Sequence, residues 1–198
     1  MRIFVAGASG VIGIRLVPLL VKDGHVVAGM TRSLAKADLI AGAGAEPVVC
    51  DVYDAQSLDA AVTGFTPNVV FHELTDLPDA AREITSYRDR NNRIRGEGTR
   101  NLLAAAAAAN ARLIAQSISW EIPSNNATTA AFERMILEAG GVVIRYGQLW
   151  GPGTYYETEP PKPPRIHVDD AARLSVPALG VPAGITIVAD DRALSAPS

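Results

Sequence analysis

The amino-acid sequence predicts an α/β fold in three layers, with a doubly wound parallel sheet between two layers of helices. Two observations lead to this prediction. Strand-like and helix-like segments alternate along all 198 residues, as they do where helices connect parallel strands and cover both faces of the sheet. Hydrophobic residues make up 48% of the chain, which is enough for the buried core of one domain of this length.

The start of the chain carries the most informative motif. Residues 3–6 form an apolar strand, and Gly7, Gly10 and Gly13 follow it in a GxxGxxG spacing. Gly7 permits a tight turn, Gly10 leaves room for a phosphate, and Gly13 lets the next helix lie close to the sheet. The free N–H groups and the positive end of that helix then face an anion. The motif predicts a Rossmann-type dinucleotide-binding turn, with an ordinary glycine-rich turn as the alternative.

The first half of the chain contains signals for three helices and three further strands. The first helix presents four apolar residues to the sheet: Ile12, Leu16, Leu19 and Leu20. Pro18 lies inside this helix, where a proline removes a backbone hydrogen bond. Gly42 and Gly44 end the second helix, and Asp54 is a predicted N-cap of the third. The predicted elements are a helix over residues 11–22, a strand over 25–30, a helix over 34–43, a strand over 46–50, a helix over 55–62 and a strand over 68–72.

The second half continues the same alternation. Six arginines lie between residues 82 and 100, and they indicate either a solvated helix face or a cationic rim for a phosphate-bearing ligand or partner. Six consecutive alanines from Ala104 favour a helix packed closely on the sheet, which Asn110 ends in the left-handed region. The remaining predicted elements are a strand over 112–117, a helix over 128–139, a strand over 142–145, an irregular loop over 151–164, a helix over 168–179 that kinks near Pro177, and a strand over 185–188.

Composition excludes several classes of function. The formal net charge of −3 gives no general attraction to nucleic acid or to an anionic membrane, and no apolar run is long enough to span a bilayer. Because the chain begins directly with a strand, we expect no signal peptide and a cytoplasmic protein. The dinucleotide-binding motif further predicts a small-molecule substrate. Cys50 is the only cysteine and the three histidines lie far apart, so we expect neither a disulfide nor a metal site. The oligomeric state stays open between monomer and homodimer.

In their order and spacing these features resemble the short-chain dehydrogenase/reductase superfamily, and within it the extended or atypical branch of NAD-dependent epimerases and dehydratases. The resemblance covers nearly the whole chain. It predicts one NAD(P)-binding domain over residues 1–198, with a substrate-side lobe reduced to about 150–182. The segments that carry it are residues 7–13, 51–52, 69–72, 98–103 and 115–117, Arg145 with residues 150–153, and residues 167–172.

The resemblance implies roles for four groups of residues. The group that wraps the pyrophosphate is Ser9, Gly10, Val11 and Ile12. The group that flanks the adenine is Asp51 and Val52. Leu74 and Thr75 line the path to the nicotinamide, and Ser117 stands at the end of the fifth strand, where the family keeps a serine or threonine.

The residues after the second strand bear on the choice of cofactor. An NAD-binding unit usually has an acid about twenty residues beyond the glycines, which bonds to the ribose 2′-hydroxyl. Here that position holds Thr31, Arg32 and Ser33, with no carboxylate before Asp38. An arginine binds a 2′-phosphate in a bidentate manner, and Arg15 is placed to assist. We therefore expect NADP, with NAD and a merely solvated Arg32 as the alternatives.

The acid–base pair typical of the superfamily, Tyr-x-x-x-Lys, is absent. None of the five tyrosines has a lysine four residues later, and the expected pair falls near Asn125 and Thr129. One interpretation is an oxidoreductase or epimerase-like enzyme with another proton donor, acting on a small carbonyl, a quinone-like compound or a sugar nucleotide. Its candidate catalytic residues are Ser117, Tyr146 and Tyr155, with Tyr156 and Glu73 as further candidates. The other interpretation is a non-catalytic NADP(H)-binding redox sensor or scaffold protein.

Overall fold

The computed structural model describes residues 1–120 and 126–190. Its strands are β1 (Arg2–Ala6), β2 (Val26–Thr31), β3 (Glu46–Val49), β4 (Val69–His72), β5 (Arg112–Ile118), β6 (Val142–Tyr146), β7 (Gln148–Trp150), β8 (Arg165–His167) and β9 (Gly184–Val188). Its α-helices are α1 (Gly13–Lys22), α2 (Ala37–Gly42), α3 (Ala55–Phe65), α4 (Ile84–Arg93), α5 (Thr99–Ala108), α6 (Asn126–Glu138) and α7 (Val168–Ser175).

Seven parallel strands form the central sheet in the order β3-β2-β1-β4-β5-β6-β9. This order confirms the predicted doubly wound α/β fold. The chain first winds outward from β1 to β3 and then crosses to β4 on the other side of β1. Because the winding direction reverses between β1 and β4, a crevice opens at their carboxyl ends, where such sheets bind ligands.

Two hydrophobic layers hold the helices on the sheet, because neighbouring residues of a strand point to opposite faces. Val5, Phe71 and Ile114 pack against α1 and α7 on one face. On the other face, Phe4 and Val70 pack against α3 and α5. The strands β1 and β4 are therefore buried on both sides, which explains their nearly continuous apolar sequences.

Several local predictions are confirmed by backbone geometry. The side chain of Asp54 accepts a hydrogen bond from the Ser57 N–H at 3.0 Å and caps α3. Asn110 has a φ of 53° after α5, in the left-handed region. Pro18 lies within α1 on its exposed side, so the Ile14 carbonyl that loses its partner faces solvent rather than the sheet.

Other predictions need correction. The helix predicted over 34–43 begins with a 3₁₀ turn at Leu34–Lys36, before α2. The helix predicted over 168–179 ends at Ser175 and continues as a 3₁₀ segment over Val176–Gly180, because Pro177 lacks the N–H that an α-helix requires. The short strands β7 and β8 were not predicted; they pair in parallel at either end of the proline-rich loop.

None of the helices in the described residues combines the length and the apolar character needed to cross a membrane.

Candidate functional site

The turn between β1 and α1 can accept only glycine at two of its three glycine positions. Gly7 has a φ of +93°, and a Cβ there would lie 2.8 Å from the carbonyl carbon and oxygen of Glu73. A Cβ at Gly13 would overlap the carbonyl oxygen of Gly7 and approach the Cα of Ala8 to 2.8 Å. The start of α1 therefore lies directly on the turn, as the motif predicted.

The same turn presents unused hydrogen-bond donors. The Gly10 N–H donates to the Gly7 carbonyl at 2.9 Å and closes the turn. Within residues 1–120 and 126–190, the backbone N–H groups of Ser9, Val11 and Ile12 have no protein acceptor. Gly10 and Val11 are exposed, and the positive end of α1 lies behind them. This cradle of N–H groups beside a residue without a side chain fits the diphosphate of a dinucleotide.

The end of β2 forms the next part of the crevice. The Ser9 and Thr31 hydroxyls lie 2.9 Å apart, and the Ser33 N–H donates to the Thr31 hydroxyl oxygen at 3.2 Å. These contacts join the glycine turn to the segment predicted to hold the adenosine ribose. Thr31 is 5% exposed and supports this junction through both contacts. Contact of Thr31 and Ser33 with a cofactor stays a prediction.

Arg32 stands at the rim with about half of its side chain exposed, 3.9 Å from the Asp76 carboxylate. Asp76 is buried and receives two hydrogen bonds from the Arg90 guanidinium, at 3.1 and 2.9 Å. Two guanidinium groups thus share one carboxylate, which leaves excess positive charge at the end of β2. Such a pair of guanidinium groups suits a phosphate monoester.

Arg15 does not contribute to this cationic group. Its guanidinium donates to the Asp169 carboxylate at 2.6 Å, to the Pro152 carbonyl at 2.7 Å and to the Val11 carbonyl at 2.9 Å. Arg15 instead connects the glycine turn to α7 and to the loop after β7. The expectation that it assists a 2′-phosphate is therefore wrong.

The segment after β3 borders the predicted adenine position. Asp51 accepts the Tyr53 N–H at 2.9 Å, and the buried Val52 uses its carbonyl to accept the Asn101 side chain at 2.9 Å. The Arg93 guanidinium lies over the Tyr53 ring, 3.8 Å from its centroid. This stacked pair was not predicted, since its members lie forty residues apart in sequence and meet only through the packing of α4.

The arginine-rich segment serves more than one purpose. No residue of α4 is buried, as expected for a solvated face. Arg90 and Arg93 nevertheless turn toward Asp76 and Tyr53 at the edge of the crevice. Arg95 is partly buried, and its guanidinium donates to the Thr129 hydroxyl at 2.5 Å. Thr129 is where the superfamily pattern predicted a lysine. The position of the expected tyrosine, Asn125, lies outside the described residues.

A π-helical turn at Ile94–Gly98 separates α4 from α5 and rests on His72. The Thr99 hydroxyl donates to the Ile94 carbonyl at 3.2 Å, so it accepts from His72 Nε2 at 3.0 Å. His72 Nδ1 accepts the Leu74 N–H at 3.3 Å. These bonds require a neutral ring with the proton on Nε2, and burial lowers the pKa of His72 to about 3. His72 thus fixes the loop after β4 as a neutral residue.

Leu74 and Thr75, predicted on the path to the nicotinamide, follow β4 at the edge of the crevice. Leu74 is partly buried, and its carbonyl accepts the Gln116 side chain at 3.3 Å. Thr75 is exposed. Both remain predicted contacts of a cofactor.

Ser117 is hydrogen-bonded to the carboxylate of a buried ion pair. Its hydroxyl donates to Glu133 Oε1 at 2.6 Å, and the Glu133 carboxylate also binds the Arg145 guanidinium, with Nε at 2.9 Å. Ser117 and Glu133 are 3% and 5% exposed. The Ser117 hydroxyl therefore uses its proton in a hydrogen bond to a structural carboxylate on α6.

The two tyrosines predicted as catalytic are also hydrogen-bonded to the protein. The Ser175 hydroxyl donates to the Ala171 carbonyl at 2.6 Å, so Tyr146, 2.5 Å away, donates to Ser175. Burial raises the pKa of Tyr146 well above its usual value. Tyr155 donates to the Pro78 carbonyl at 2.5 Å, and partial burial raises its pKa. Tyr156, one residue later, is 41% exposed.

Two polar groups beside Tyr146 have no partner among the described residues. Glu73, which directly follows β4, is 6% exposed, and neither of its carboxyl oxygens is hydrogen-bonded. Its carboxyl is close enough to raise the pKa of Tyr146. The buried Ser119 hydroxyl is likewise unpaired, while its N–H donates to the Tyr146 carbonyl at 2.8 Å. Sequence reasoning missed Ser119, although its place two residues after Ser117 was a usable signal.

Comparison with known proteins identifies the dinucleotide-binding region. A family model described as NAD(P)H-binding matches residues 7–138. A 3-diazoavenalumate denitrifying reductase from a Streptomyces species is 33% identical, over 96% of this chain and 76% of that protein. A 3-beta-hydroxysteroid dehydrogenase from Mycolicibacterium neoaurum is also 33% identical, over 52% of this chain and 28% of that protein.

Solved structures agree with the fold. The UDP-glucose 4-epimerase of Thermus thermophilus, in complex with NAD, superimposes with a TM-score of 0.80 at 20% identity, covering 97% of this chain and 78% of that one. The UDP-glucose 4-epimerase of Thermotoga maritima, with UDP-glucose, gives a TM-score of 0.79 at 17% identity, covering 98% and 79%. At these identities the similarity concerns the fold.

Proposed function

The chain belongs to the NAD(P)H-binding family as an NAD(P)-binding Rossmann domain, and from this premise we propose that it is an NADP(H)-dependent reductase of the atypical short-chain type. The observation that carries the proposal is the β1–α1 turn. Its free N–H groups at Ser9, Val11 and Ile12 suit a diphosphate, and Gly10 leaves the approach open.

NADP rather than NAD is favoured by the charge at the end of β2. Arg32 is exposed, and the carboxylate nearest to it is shared with Arg90. A ribose 2′-phosphate placed there gains a charge-assisted hydrogen bond. Asp76, the carboxylate that faces Arg32, already accepts two hydrogen bonds from Arg90 and is therefore less available to the 2′-hydroxyl of NAD.

The substrate is an activated small-molecule acceptor. When bound, the reduced cofactor supplies a hydride. A carbonyl or quinone-like acceptor then needs a proton as well, whereas a diazonium group that accepts hydride and releases N₂ needs none. The relative from Streptomyces is named as a denitrifying reductase of a diazo compound, and this supports diazo compounds as a third acceptor class for this chain.

A second candidate function is a redox sensor or scaffold that binds NADP(H) without turnover. One observation favours it: the hydroxyls of Ser117, Tyr146 and Tyr155 each donate to protein acceptors. The two candidates differ in turnover and agree in cofactor binding.

The experiment has two stages. The protein is first titrated with NADPH and with NADH, and we expect tighter binding of NADPH. NADPH oxidation is then followed with quinones, aldehydes, ketones, an aryl diazonium salt and a UDP-sugar. Oxidation that depends on one acceptor class supports the reductase, binding without oxidation by any acceptor supports the sensor, and absence of binding to both nucleotides rejects both.

A further inference from the structure

Glu73 is a buried acid directly after β4, at the edge of the crevice, and its carboxyl has no hydrogen-bond partner among the described residues. It follows β4 directly, on the side of the sheet where the winding direction reverses. Its backbone packs against the first glycine of the turn, since a Cβ at Gly7 would lie 2.8 Å from the Glu73 carbonyl. Leu74 and Thr75, the predicted nicotinamide contacts, are the next two residues. An acid at this place adjoins both the cofactor turn and the acceptor side of the crevice.

The surroundings of Glu73 favour its neutral form. A buried carboxylate requires hydrogen-bond donors or a cation to replace water. Neither Glu73 oxygen has a partner in the described part of the chain. The Tyr146 hydroxyl is close by, but its proton goes to Ser175, whose own proton goes to the Ala171 carbonyl. The Tyr146 hydroxyl is the donor nearest to a charged Glu73, but Ser175 competes for its proton. The effect of burial is therefore the larger one, and the carboxyl retains its proton.

Other acid groups near the crevice are already engaged. The Ser117 proton is bound by Glu133, the Tyr146 proton by Ser175 and the Tyr155 proton by a carbonyl of the loop after β4. Glu73 alone among these candidates carries a proton with no acceptor in the described residues.

We propose that Glu73 is the proton donor of this site, acting as a neutral carboxylic acid in the reduction of a carbonyl or quinone-like acceptor. This inference rests on the proposed reductase function.

The proposed step is a proton transfer coupled to hydride addition. When bound, NADPH would supply a hydride with its electron pair to the acceptor carbon, and the carbon–oxygen π pair would move to the acceptor oxygen. The O–H bond of the Glu73 carboxyl breaks and an O–H bond forms on the product. The Glu73 carboxylate that remains regains its proton from water before the next turnover. Charge and electrons balance with NADPH and one proton as the only co-reactants.

The pH dependence follows from the same geometry. Burial raises the pKa of Glu73 to about 8, and Tyr146 is the titratable side chain beside it in the described residues. Because the protonated form is active, kcat/KM for a quinone or carbonyl acceptor should be constant below about pH 8 and fall above it.

The test compares wild type with Glu73→Gln, which keeps the size and neutrality of the side chain but has no transferable proton. Glu138→Gln, at the exposed end of α6, is the matched control. We expect Glu73→Gln to lower kcat on the carbonyl or quinone acceptor by about 10²–10⁴-fold and to remove the alkaline limb of the pH profile. Its NADPH affinity should equal that of wild type, and Glu138→Gln should behave as wild type throughout.

A direct titration supplies the readout that does not depend on turnover. The side-chain carboxyl carbons are labelled with ¹³C, and their NMR shifts are followed with pH in the apo protein. We expect one carboxyl that titrates near pH 8 in wild type and is missing from the Glu73→Gln spectrum. Equal kcat and an unchanged pH profile in Glu73→Gln, or a Glu73 carboxyl that titrates near the ordinary glutamate value, overturns the inference. A wild type that binds no NADPH, or that binds it and reduces no acceptor, instead rejects the reductase function itself.

Discussion

Replacing Gly10 by alanine should weaken cofactor binding and leave folding nearly unchanged, unlike the same replacement at Gly7 or Gly13. At Gly7 or Gly13 an added methyl group meets backbone atoms, so folding and binding fail together. At Gly10 the new Cβ would lie 3.2 Å from the Gly7 carbonyl oxygen and within 4 Å of no other described residue outside its immediate chain neighbours. The methyl group would stand in the open space in front of the free N–H groups.

The expected magnitudes follow from these distances. The contact with Gly7 requires a shift of a few tenths of an ångström, and alanine also restricts the unfolded chain, so we expect the free energy of unfolding to change by less than about 1 kcal/mol. For the diphosphate, the methyl group prevents at least one charge-assisted hydrogen bond. At about 1.5–3 kcal/mol for such a bond, the Kd for NADPH should rise about 10- to 100-fold.

Calorimetric titration with NADPH, together with urea unfolding, measures both quantities. Gly64→Ala is the control, because Gly64 lies exposed in α3 with nothing within 4 Å of its added Cβ. That variant should bind NADPH as wild type does and be up to about 1 kcal/mol more stable. A Gly10→Ala protein that is folded and binds NADPH with wild-type affinity would refute the proposed position of the diphosphate.

Three further predictions concern charged side chains. Arg32→Gln should raise the Kd for NADPH about 10-fold and leave the Kd for NADH unchanged in fluorescence titrations. The control Arg82→Gln, which removes an exposed arginine of the arginine-rich segment just before α4, should alter neither Kd. An equal rise in both Kd values would contradict a 2′-phosphate contact. Glu73 holds a proton in the folded protein up to about pH 8, and the unfolded chain loses it near 4.5. As the pH rises between these values, the free energy of unfolding of the wild type should therefore fall relative to that of Glu73→Gln by up to about 1.4 kcal/mol per pH unit. If the free energies of unfolding of the two proteins depend on pH in the same way, this prediction is refuted. Arg145→Met removes the guanidinium that is hydrogen-bonded to the buried Glu133 carboxylate and leaves Arg95 as the nearby cation. We expect the free energy of unfolding in urea to fall by about 3 kcal/mol, the low end for a broken buried pair because Arg145 is 36% exposed. A loss below about 1 kcal/mol would mean that this ion pair behaves as a surface pair.

The parts of the site that could be predicted from sequence are those fixed by local geometry. The turn at Gly7–Gly13 was predictable because backbone conformation and the absence of a Cβ are properties of the residues themselves. The strands β1 and β4 were predictable because burial on both faces requires apolar residues throughout. The predicted N-cap at Asp54 depends only on a residue three positions later.

Features that depend on tertiary contacts were not predictable. The pairing of Arg32 and Arg90 around Asp76 requires α4 to lie across the end of β2. The hydrogen bond from Tyr146 to Ser175 joins residues 29 apart and removes Tyr146 from the set of free acids. Ser117 was a candidate because the resemblance places a serine or threonine near the end of the fifth strand. Its hydroxyl donates to the Glu133 carboxylate on α6, a contact that only the tertiary packing creates.

The position of Arg15 has a consequence for how the protein responds to its ligands. One guanidinium group holds the Val11 carbonyl, the Asp169 carboxylate and the Pro152 carbonyl at once. The first belongs to the pyrophosphate turn, and the other two belong to the region beside the predicted acceptor. The Arg15 guanidinium therefore links the two regions, in addition to the packing of α1 against α7. We expect a shift of the turn on nucleotide binding to alter the support of the acceptor region. By thermodynamic reciprocity, each ligand then alters the affinity for the other to the same degree.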